Sequence, residues 1–262
     1  MAFHVVIPAR YASTRLPGKP LLDIAGSTMI QRVVERAAAS GANEVLVATD
    51  DERIAVAVRD PRGSAATIAV MTDPALPSGT DRVAVVARAR GWSADTIVVN
   101  VQGDEPFVPP ALIDQVAGLL ERDSQASIAT LATPIESLHD FLDPNVVKVV
   151  MADDGAALYF SRAPIPWTRD GAASGLASQS VFAGAFRHIG IYAYRVGALQ
   201  RITALPPSSY ERAEKLEQLR ALQCGLRIVV APCVEAPGPG IDTEADLERA
   251  RARVTAGSGA RE

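Results

Sequence analysis

The sequence predicts an α/β fold with a doubly wound, mostly parallel central sheet and a small β-rich insertion. Short, nearly continuous apolar runs of strand length alternate with segments whose apolar residues recur at helical spacing. The runs lack the in–out alternation of a half-solvated strand, which fits strands covered by helices on both faces. Val5-Val6-Ile7 opens the sheet and feeds the polar loop 8–19. A helix over 29–39 follows, then a strand at 44–48, a helix at 52–58 and a strand at 68–70. The turn Pro77-Ser78-Gly79-Thr80 precedes a helix over 81–90, and the apolar run 96–101 behind it belongs in the middle of the sheet. A helix over 110–121 and a strand over 127–132 complete this alternation.

The rhythm then changes. Residues 146–151 and 156–161 read as a hairpin, because Asp153-Asp154-Gly155 between them is strong turn chemistry. Residues 170–180 have loop composition and are expected to be mobile. A strand at 188–194, a helix over 210–223, a strand at 227–231, a Pro/Gly-rich loop and a short closing helix from about 243 follow, and the tail 255–262 is expected to fray. With no repeat and no linker, the reading is one α/β domain over 1–262 carrying a β-rich insertion at about 134–195.

Composition narrows the function. The 262 residues are 48% hydrophobic and 21% charged, enough for a substantial core. The formal charge of −4, from 26 Lys+Arg against 30 Asp+Glu, argues against a general binder of nucleic acid or anionic membranes. An anionic ligand must therefore be held by a local cluster. The first residues enter a strand pattern at once and no apolar run approaches membrane-spanning length, so the expected location is cytoplasmic. Cys224 and Cys233 lack Cys-x-x-Cys spacing and read as buried, reduced thiols.

The loop 8–19 offers such a cluster. Arg10, Arg15 and Lys19, with Gly18 beside the lysine, supply three cations and a backbone able to approach anionic oxygens, which suits a polyphosphate. It is not a P-loop, since Ser13 fills the first glycine position and Pro20 follows Lys19, and no Gly-x-Gly-x-x-Gly fingerprint is present.

Other candidates each carry a plainer alternative. Asp104 lies where a buried strand meets a loop, the end of an open α/β sheet at which ligands bind, and could hold Mg²⁺; Gly103-Asp104-Glu105-Pro106 is also ordinary turn chemistry. Asp242, after Pro237-Gly238-Pro239-Gly240-Ile241, could bring a second carboxylate to the first or could cap the following helix. Ser78 and Asp81 could cap the helix they precede. Arg82 in its first turn stands where the dipole favours an anion, so a bound phosphate or carboxylate would reconcile it. Alternation on 188–194 puts His188, Gly190 and Tyr192 on one face of the strand, a possible site wall or merely a partly exposed sheet face. A continuous helix over 210–223 would group Glu214, Glu217 and Gln218 on one face, which by default is solvated.

Taken together, Ile7 to Lys19, Ser78-Gly79-Thr80-Asp81-Arg82, Asn100-Val101-Gln102-Gly103-Asp104-Glu105-Pro106, Asn145-Val146-Val147-Lys148, the segment 158–166, His188-Ile189-Gly190-Ile191-Tyr192, Glu217-Gln218-Leu219-Arg220 and Gly240-Ile241-Asp242-Thr243 resemble the 3-deoxy-manno-octulosonate (Kdo) cytidylyltransferase family along almost the whole chain. The Arg-x4-Arg-x3-Lys loop is shared with the sialic acid enzymes; Phe160-Ser161-Arg162-Ala163-Pro164-Ile165-Pro166 and Leu216-Glu217-Gln218-Leu219-Arg220 point to the Kdo branch. Tyr210-Glu211-Arg212-Ala213-Glu214 departs mildly from the family pattern.

The resemblance implies a nucleotide-diphospho-sugar transferase type of sheet and transfer of CMP from CTP to Kdo, with release of pyrophosphate, for lipopolysaccharide biosynthesis. It implies Arg10, Lys19, Asp104 and Asp242 as the catalytic residues. Ala9, Arg10, Arg15, Lys19, Ser78, Asp81, Arg82 and Gln102 would hold the nucleotide. Gln102, Glu105, Arg162, His188, Tyr192, Glu217 and Gln218 would recognise Kdo, Arg162 by a bidentate contact to its carboxylate. Asp104 and Asp242 would be the protein ligands of Mg²⁺, the one cofactor implied. A homodimer formed through the β-rich insertion is expected by analogy, with no nucleic-acid or membrane partner. The rivals are a cytidylyltransferase for another sugar acid such as sialic acid, and a catalytically silent nucleotide-sensing module.

Overall fold

Apolar runs too continuous for a half-exposed sheet become its central strands. The computed structural model describes residues 2–13, 16–59, 67–171 and 175–258, so Arg15 of the basic loop lies outside the described residues. The elements in chain order are β1 (Phe3–Ala9), β2 (Asp23–Ile24), β3 (Ser27–Thr28), α1 (Met29–Ala38), β4 (Glu44–Thr49), α2 (Glu52–Val58), β5 (Ile68–Met71), α3 (Gly79–Ala89), β6 (Ile97–Asn100), α4 (Pro110–Arg122) and β7 (Ile128–Pro134). They continue with α5 (Leu138–Leu142), β8 (Lys148–Met151), β9 (Ala157–Ser161), β10 (Phe186–Arg195), α6 (Val196–Thr203), α7 (Ser209–Glu214), α8 (Gln218–Gln223), β11 (Ile228–Pro232) and α9 (Glu244–Ser258).

The main sheet runs β11-β7-β10-β6-β1-β4-β5, with β6 at its centre as expected. All neighbours are parallel except β10, which is antiparallel to both β6 and β7. The β8–β9 hairpin is carried on the start of β10, where Phe186 and Arg187 pair with Val149 and Lys148, so the β-rich insertion continues the same sheet. Successive side chains of β1 and β6 enter opposite cores. Val5, Ile7 and Val99 pack with Val33, Ile113 and Val116 on one side, and Val6 and Val98 pack with Val83, Leu199 and Ile228 on the other.

Local chemistry sets several helix starts. Thr28 and Gln31 form a reciprocal capping box on α1, and Pro110 occupies the first turn of α4, where its missing N–H costs nothing. The closing helix α9 is longer than expected: 15 residues, running helical through Thr255 to Ser258 where fraying was anticipated. Two short 3₁₀ turns, Arg169–Gly171 and Leu176–Ser178, punctuate the 170–180 loop.

The expected single helix over 210–223 is two helices. Lys215 sits between α7 and α8 with φ 56° and ψ 46°, a left-handed conformation that interrupts the hydrogen-bond ladder. Contacts from β9 fix the break: Ser161 Oγ donates to Glu214 Oε1 at 2.6 Å, Arg162 N to Glu214 Oε2 at 2.9 Å, and Arg162 Nε to the Glu214 carbonyl at 2.7 Å. Glu214 is thereby drawn to the hairpin. Glu217 and Gln218, beyond the break, turn toward the sheet instead of sharing a solvated face with it.

Candidate active site

The carboxyl ends of β1, β4 and β6 meet the loops that follow them. Gly103 permits the closest approach, since a Cβ there would lie 2.8 Å from the Pro8 carbonyl oxygen. The loop before α9 then closes over the same place. Ile241 N donates to the Asp104 carbonyl at 3.1 Å, and Gly238 lies so tightly on Phe107 that a Cβ would fall 2.3 Å from its carbonyl oxygen. A stiff Pro/Gly segment thus delivers Asp242 to Asp104. Lys19 Nζ lies between them, donating to Asp104 Oδ2 at 2.6 Å and to Asp242 Oδ1 at 3.1 Å. Helix capping falls to Thr243 and Asp246: Asp246 N donates to Thr243 Oγ1 at 3.2 Å and Thr243 N to Asp246 Oδ2 at 2.8 Å. Beside the pair, burial and the neighbouring Asp104 charge push the Glu105 carboxyl up to about 7.

Two adjoining cavities open here. The outer one, about 330 Å³, is lined by residues that include Arg10, Ser78, Arg82, Gln102, Asp104 and Glu217, with Ala9 beside Arg10. The inner one, about 210 Å³, runs between the sheet and α3, α6 and α8, and Ser78, Gln102 and Glu217 are common to both. Asp81, Tyr192 and Gln218 line only the inner cavity. Thr80 Oγ1 donates to Glu217 Oε2 at 2.7 Å, joining α3 to the start of α8 across it.

Ser78 and Asp81 cap α3 while also lining cavities: Asp81 N donates to Ser78 Oγ at 3.2 Å, and Ser78 Oγ to Asp81 Oδ2 at 2.7 Å. The anion that reconciles Arg82 with the first turn of a helix is a side chain of the protein. Arg82 is 3% exposed, its Nη2 donates to Asp50 Oδ2 at 2.7 Å and its Nη1 to Thr72 Oγ1 at 2.6 Å. The other oxygen of Asp50 accepts from Tyr11 N at 3.3 Å, so Asp50 ties α3 to the basic loop. Sequence reasoning passed over Asp50, although its place at the carboxyl end of β4 was the available signal.

His188 and Tyr192 stand on one face of β10 with ring centroids 5.2 Å apart, and Tyr192 stacks on Tyr194. The register between β10 and β7 shifts between Ile189 and Tyr192, and Thr130 fills the irregularity: its hydroxyl lies 3.1 Å from the Ile189 carbonyl, 2.8 Å from that of Ile191 and 2.9 Å from His188 Nε2. Both carbonyls only accept, so the single hydroxyl proton goes to one of them and His188 Nε2 donates to Thr130. Burial lowers the imidazole pKa to about 3, so the ring is neutral and Nδ1 is an acceptor.

Arg162 does not line either cavity. Besides the Glu214 carbonyl, it donates through Nη1 to the Pro144 carbonyl at 2.9 Å, so backbone carbonyls take two of its donors. Its own carbonyl accepts from Lys148 Nζ at 2.8 Å, a fully buried ammonium that also serves the Asp143 and Val146 carbonyls. Cys224 and Cys233 are half-buried free thiols away from the site, with burial raising Cys233 to about 11.

Among the described residues no group of three or more His, Cys, Asp or Glu is arranged for a metal. A hard cation needs only one or two carboxylates when water and phosphate oxygens complete its shell. The place between Asp104 and Asp242 is already one a cation favours, since the Lys19 ammonium occupies it. No helix among the described residues is long and apolar enough to cross a membrane.

A basic loop and two converging carboxylates at the end of a mostly parallel sheet define a nucleotidyltransferase, and the family model for cytidylyltransferases matches residues 4–228. The chain is 57% identical to a 3-deoxy-manno-octulosonate cytidylyltransferase of Xanthomonas campestris pv. campestris over 97% of this chain and 89% of that one. It is 54% identical to the enzyme of that name from Aeromonas hydrophila over 96% of this chain and 98% of the other. A solved structure of CMP:2-keto-3-deoxy-manno-octonic acid synthetase complexed with CTP superposes with a TM-score of 0.84 at 44% identity, covering 97% of this chain and 98% of that one. The chain belongs to the cytidylyltransferase family and, within it, to the 3-deoxy-manno-octulosonate cytidylyltransferases.

Proposed function

We propose that this enzyme transfers CMP from CTP to Kdo in the cytoplasm, with Mg²⁺ as cofactor and in the service of lipopolysaccharide biosynthesis. The observation that carries this reading is the Lys19 ammonium lodged between Asp104 and Asp242, beside the outer cavity that Asp104 lines. The outer, basic cavity takes the nucleotide and the inner, hydroxyl-lined one the sugar acid. The Kdo 2-hydroxyl oxygen bonds to the α-phosphorus, the bond from that phosphorus to the oxygen of the leaving pyrophosphate breaks, and the hydroxyl proton is released.

Arg10 and Lys19 neutralise the two polyanions as they meet, and Gln102, common to both cavities, orients one against the other. Asp104 and Asp242 would hold Mg²⁺, which when bound supplies Lewis-acid activation of the hydroxyl and charge neutralisation at the phosphate. Glu217 is held by Thr80, Gln218 and Tyr192 line the inner wall, and His188 offers a neutral acceptor beside Tyr192. The exposed apolar side chains Leu158 and Trp167, on and beyond the hairpin, support a homodimer through that region.

The test is formation of CMP-Kdo and pyrophosphate by purified protein from CTP, Kdo and Mg²⁺, with N-acetylneuraminate as the competing acceptor. CMP-Kdo as the dominant product is expected. Preferred turnover of N-acetylneuraminate would reassign the acceptor, and CTP binding without pyrophosphate release would leave a sensing module.

A further inference from the structure

The basic loop leans on side chains that belong to neither cavity. Tyr11, next to Arg10, is half-buried against the core, and neither it nor its neighbour Arg53 lines the outer or the inner cavity. Arg53 stands in the first turn of α2, the end of a helix where the dipole disfavours a cation, and its side chain is 59% exposed. Two contacts account for it there. Asp51, the N-cap of α2, takes the guanidinium in a bidentate pair, Nε to Oδ1 at 2.9 Å and Nη2 to Oδ2 at 2.7 Å. The guanidinium carbon then lies 3.5 Å from the centroid of the Tyr11 ring, well within the range at which a cation is drawn to an aromatic face.

The hydroxyl end of that ring bears on the loop. Gly18 is buried in a left-handed conformation, φ 66° and ψ 21°, and a Cβ on it would fall 3.2 Å from both Cε2 and Oη of Tyr11. Glycine is therefore required there twice, by its backbone angle and by the ring. Gly18 heads the 3₁₀ turn Lys19–Leu21, with Leu21 N donating to its carbonyl at 2.8 Å and Lys19 N to the Leu16 carbonyl at 3.1 Å. The side chain that leaves this turn is the Lys19 ammonium between Asp104 and Asp242. A chain of contacts thus runs from Asp51 through Arg53 and Tyr11 to Gly18 and Lys19. Arg53 is not itself free for the nucleotide, since a phosphate would have to compete with the Asp51 carboxylate and the ring for it.

Resting on the function proposed above, we infer that Arg53 is a positioning residue for the nucleotide: by clamping the Tyr11 ring it fixes Gly18, and so presents Lys19 and Arg10 in the geometry that CTP meets. What it supplies is preorganisation. A loop released from the clamp has to be ordered at the moment of binding, and that cost falls on nucleotide affinity rather than on the chemistry once CTP is bound. Lysine, a point charge without a planar guanidinium to lay on the ring, replaces it poorly.

Arg53→Ala, Arg53→Lys, Tyr11→Leu and the double variant Arg53→Ala with Tyr11→Leu test this in steady-state assays with CTP and Kdo. In Arg53→Ala the CTP KM is expected to rise about 3- to 30-fold, with kcat at saturating CTP and the Kdo KM within about twofold of wild type. Arg53→Lys should fall between the two. Tyr11→Leu should raise the CTP KM at least as much, and adding Arg53→Ala to it should change that KM by less than about twofold, because Arg53 acts only through the ring. A CTP KM within twofold of wild type in Arg53→Ala overturns the inference. A double variant that suffers the full Arg53→Ala rise again overturns it too, making Arg53 a direct ligand of the nucleotide, as does a fall in kcat with the CTP KM unmoved, the mark of lost folded enzyme. A wild-type enzyme that releases no pyrophosphate from CTP and Kdo overturns the proposed function and this inference together; one that does, with Arg53→Ala unmoved, overturns this inference alone.

Discussion

The two cavities are finished to different degrees. Around the outer one several polar groups of the protein already satisfy one another: Asp50 holds both Arg82 and the backbone of Tyr11, Ser78 and Asp81 cap each other, and Lys19 bridges two carboxylates. Around the inner one they do so less fully, since among the described residues Asn100 Oδ1 has no partner, and the wall that carries Glu217 and Gln218 follows a left-handed break at Lys215. A triphosphate is recognised chiefly by charge, which a stiff loop can present in advance. A neutral polyol is recognised by hydrogen bonds made one at a time.

The sharpest way to break that contrast is to undo the finished side. Asp50→Ala leaves the buried Arg82 guanidinium uncompensated and frees the Tyr11 N–H, so unfolding in urea should show a loss of about 3–5 kcal/mol. The CTP KM should rise with it while the Kdo KM changes little. A loss below about 1 kcal/mol would show that the loop and α3 do not depend on this pair.

A smaller effect is expected from pH at His188, which packs beside Tyr192. His188 is neutral in the fold with its pKa lowered to about 3, whereas the unfolded chain takes up a proton near pH 6.5. Its contribution to stability is therefore intact above pH 6.5 and is lost progressively as pH falls toward 3. At pH 5 that loss is about 2 kcal/mol relative to pH 8, and Asn or Gln at position 188 should remove that part of the acid limb in chemical denaturation. An unchanged acid limb in His188→Gln would mean the imidazole charges freely in the fold.

The mildest test concerns the break itself. Lys215→Gly relieves a left-handed residue and removes a side chain that lines the inner cavity, so stability should rise by up to about 1 kcal/mol in thermal melts, with the CTP KM close to wild type. A marked rise in the Kdo KM would show instead that the lysine side chain takes part in acceptor binding.

Much of this was legible in the sequence. Alternating apolar runs located the strands of the parallel sheet, because burial on both faces leaves a continuous signature, and the basic loop and Asp104 followed from where those strands end. The convergence of Asp242 was readable as one of two options, and only the Ile241–Asp104 backbone bond decides between them. What could not be read were outcomes of long-range pairing. The break at Lys215 is imposed by Ser161 and Arg162 from another strand, against a periodicity that favours one helix. Arg82 found its anion in Asp50, 32 residues away in sequence, and that Asn100 Oδ1 has no partner among the described residues is invisible until its neighbours are placed.

The central claim is that Asp104 and Asp242, from opposite halves of the chain, form one cation site beside the outer cavity. The most direct measurement is pyrophosphate release from CTP and Kdo as Mg²⁺ is titrated, for wild type, Asp104→Asn and Asp242→Asn. Saturable Mg²⁺ dependence in wild type and a loss of about 100-fold or more in either variant, with thermal stability retained, is the result predicted. Wild-type rates in Asp242→Asn at every Mg²⁺ concentration would contradict it.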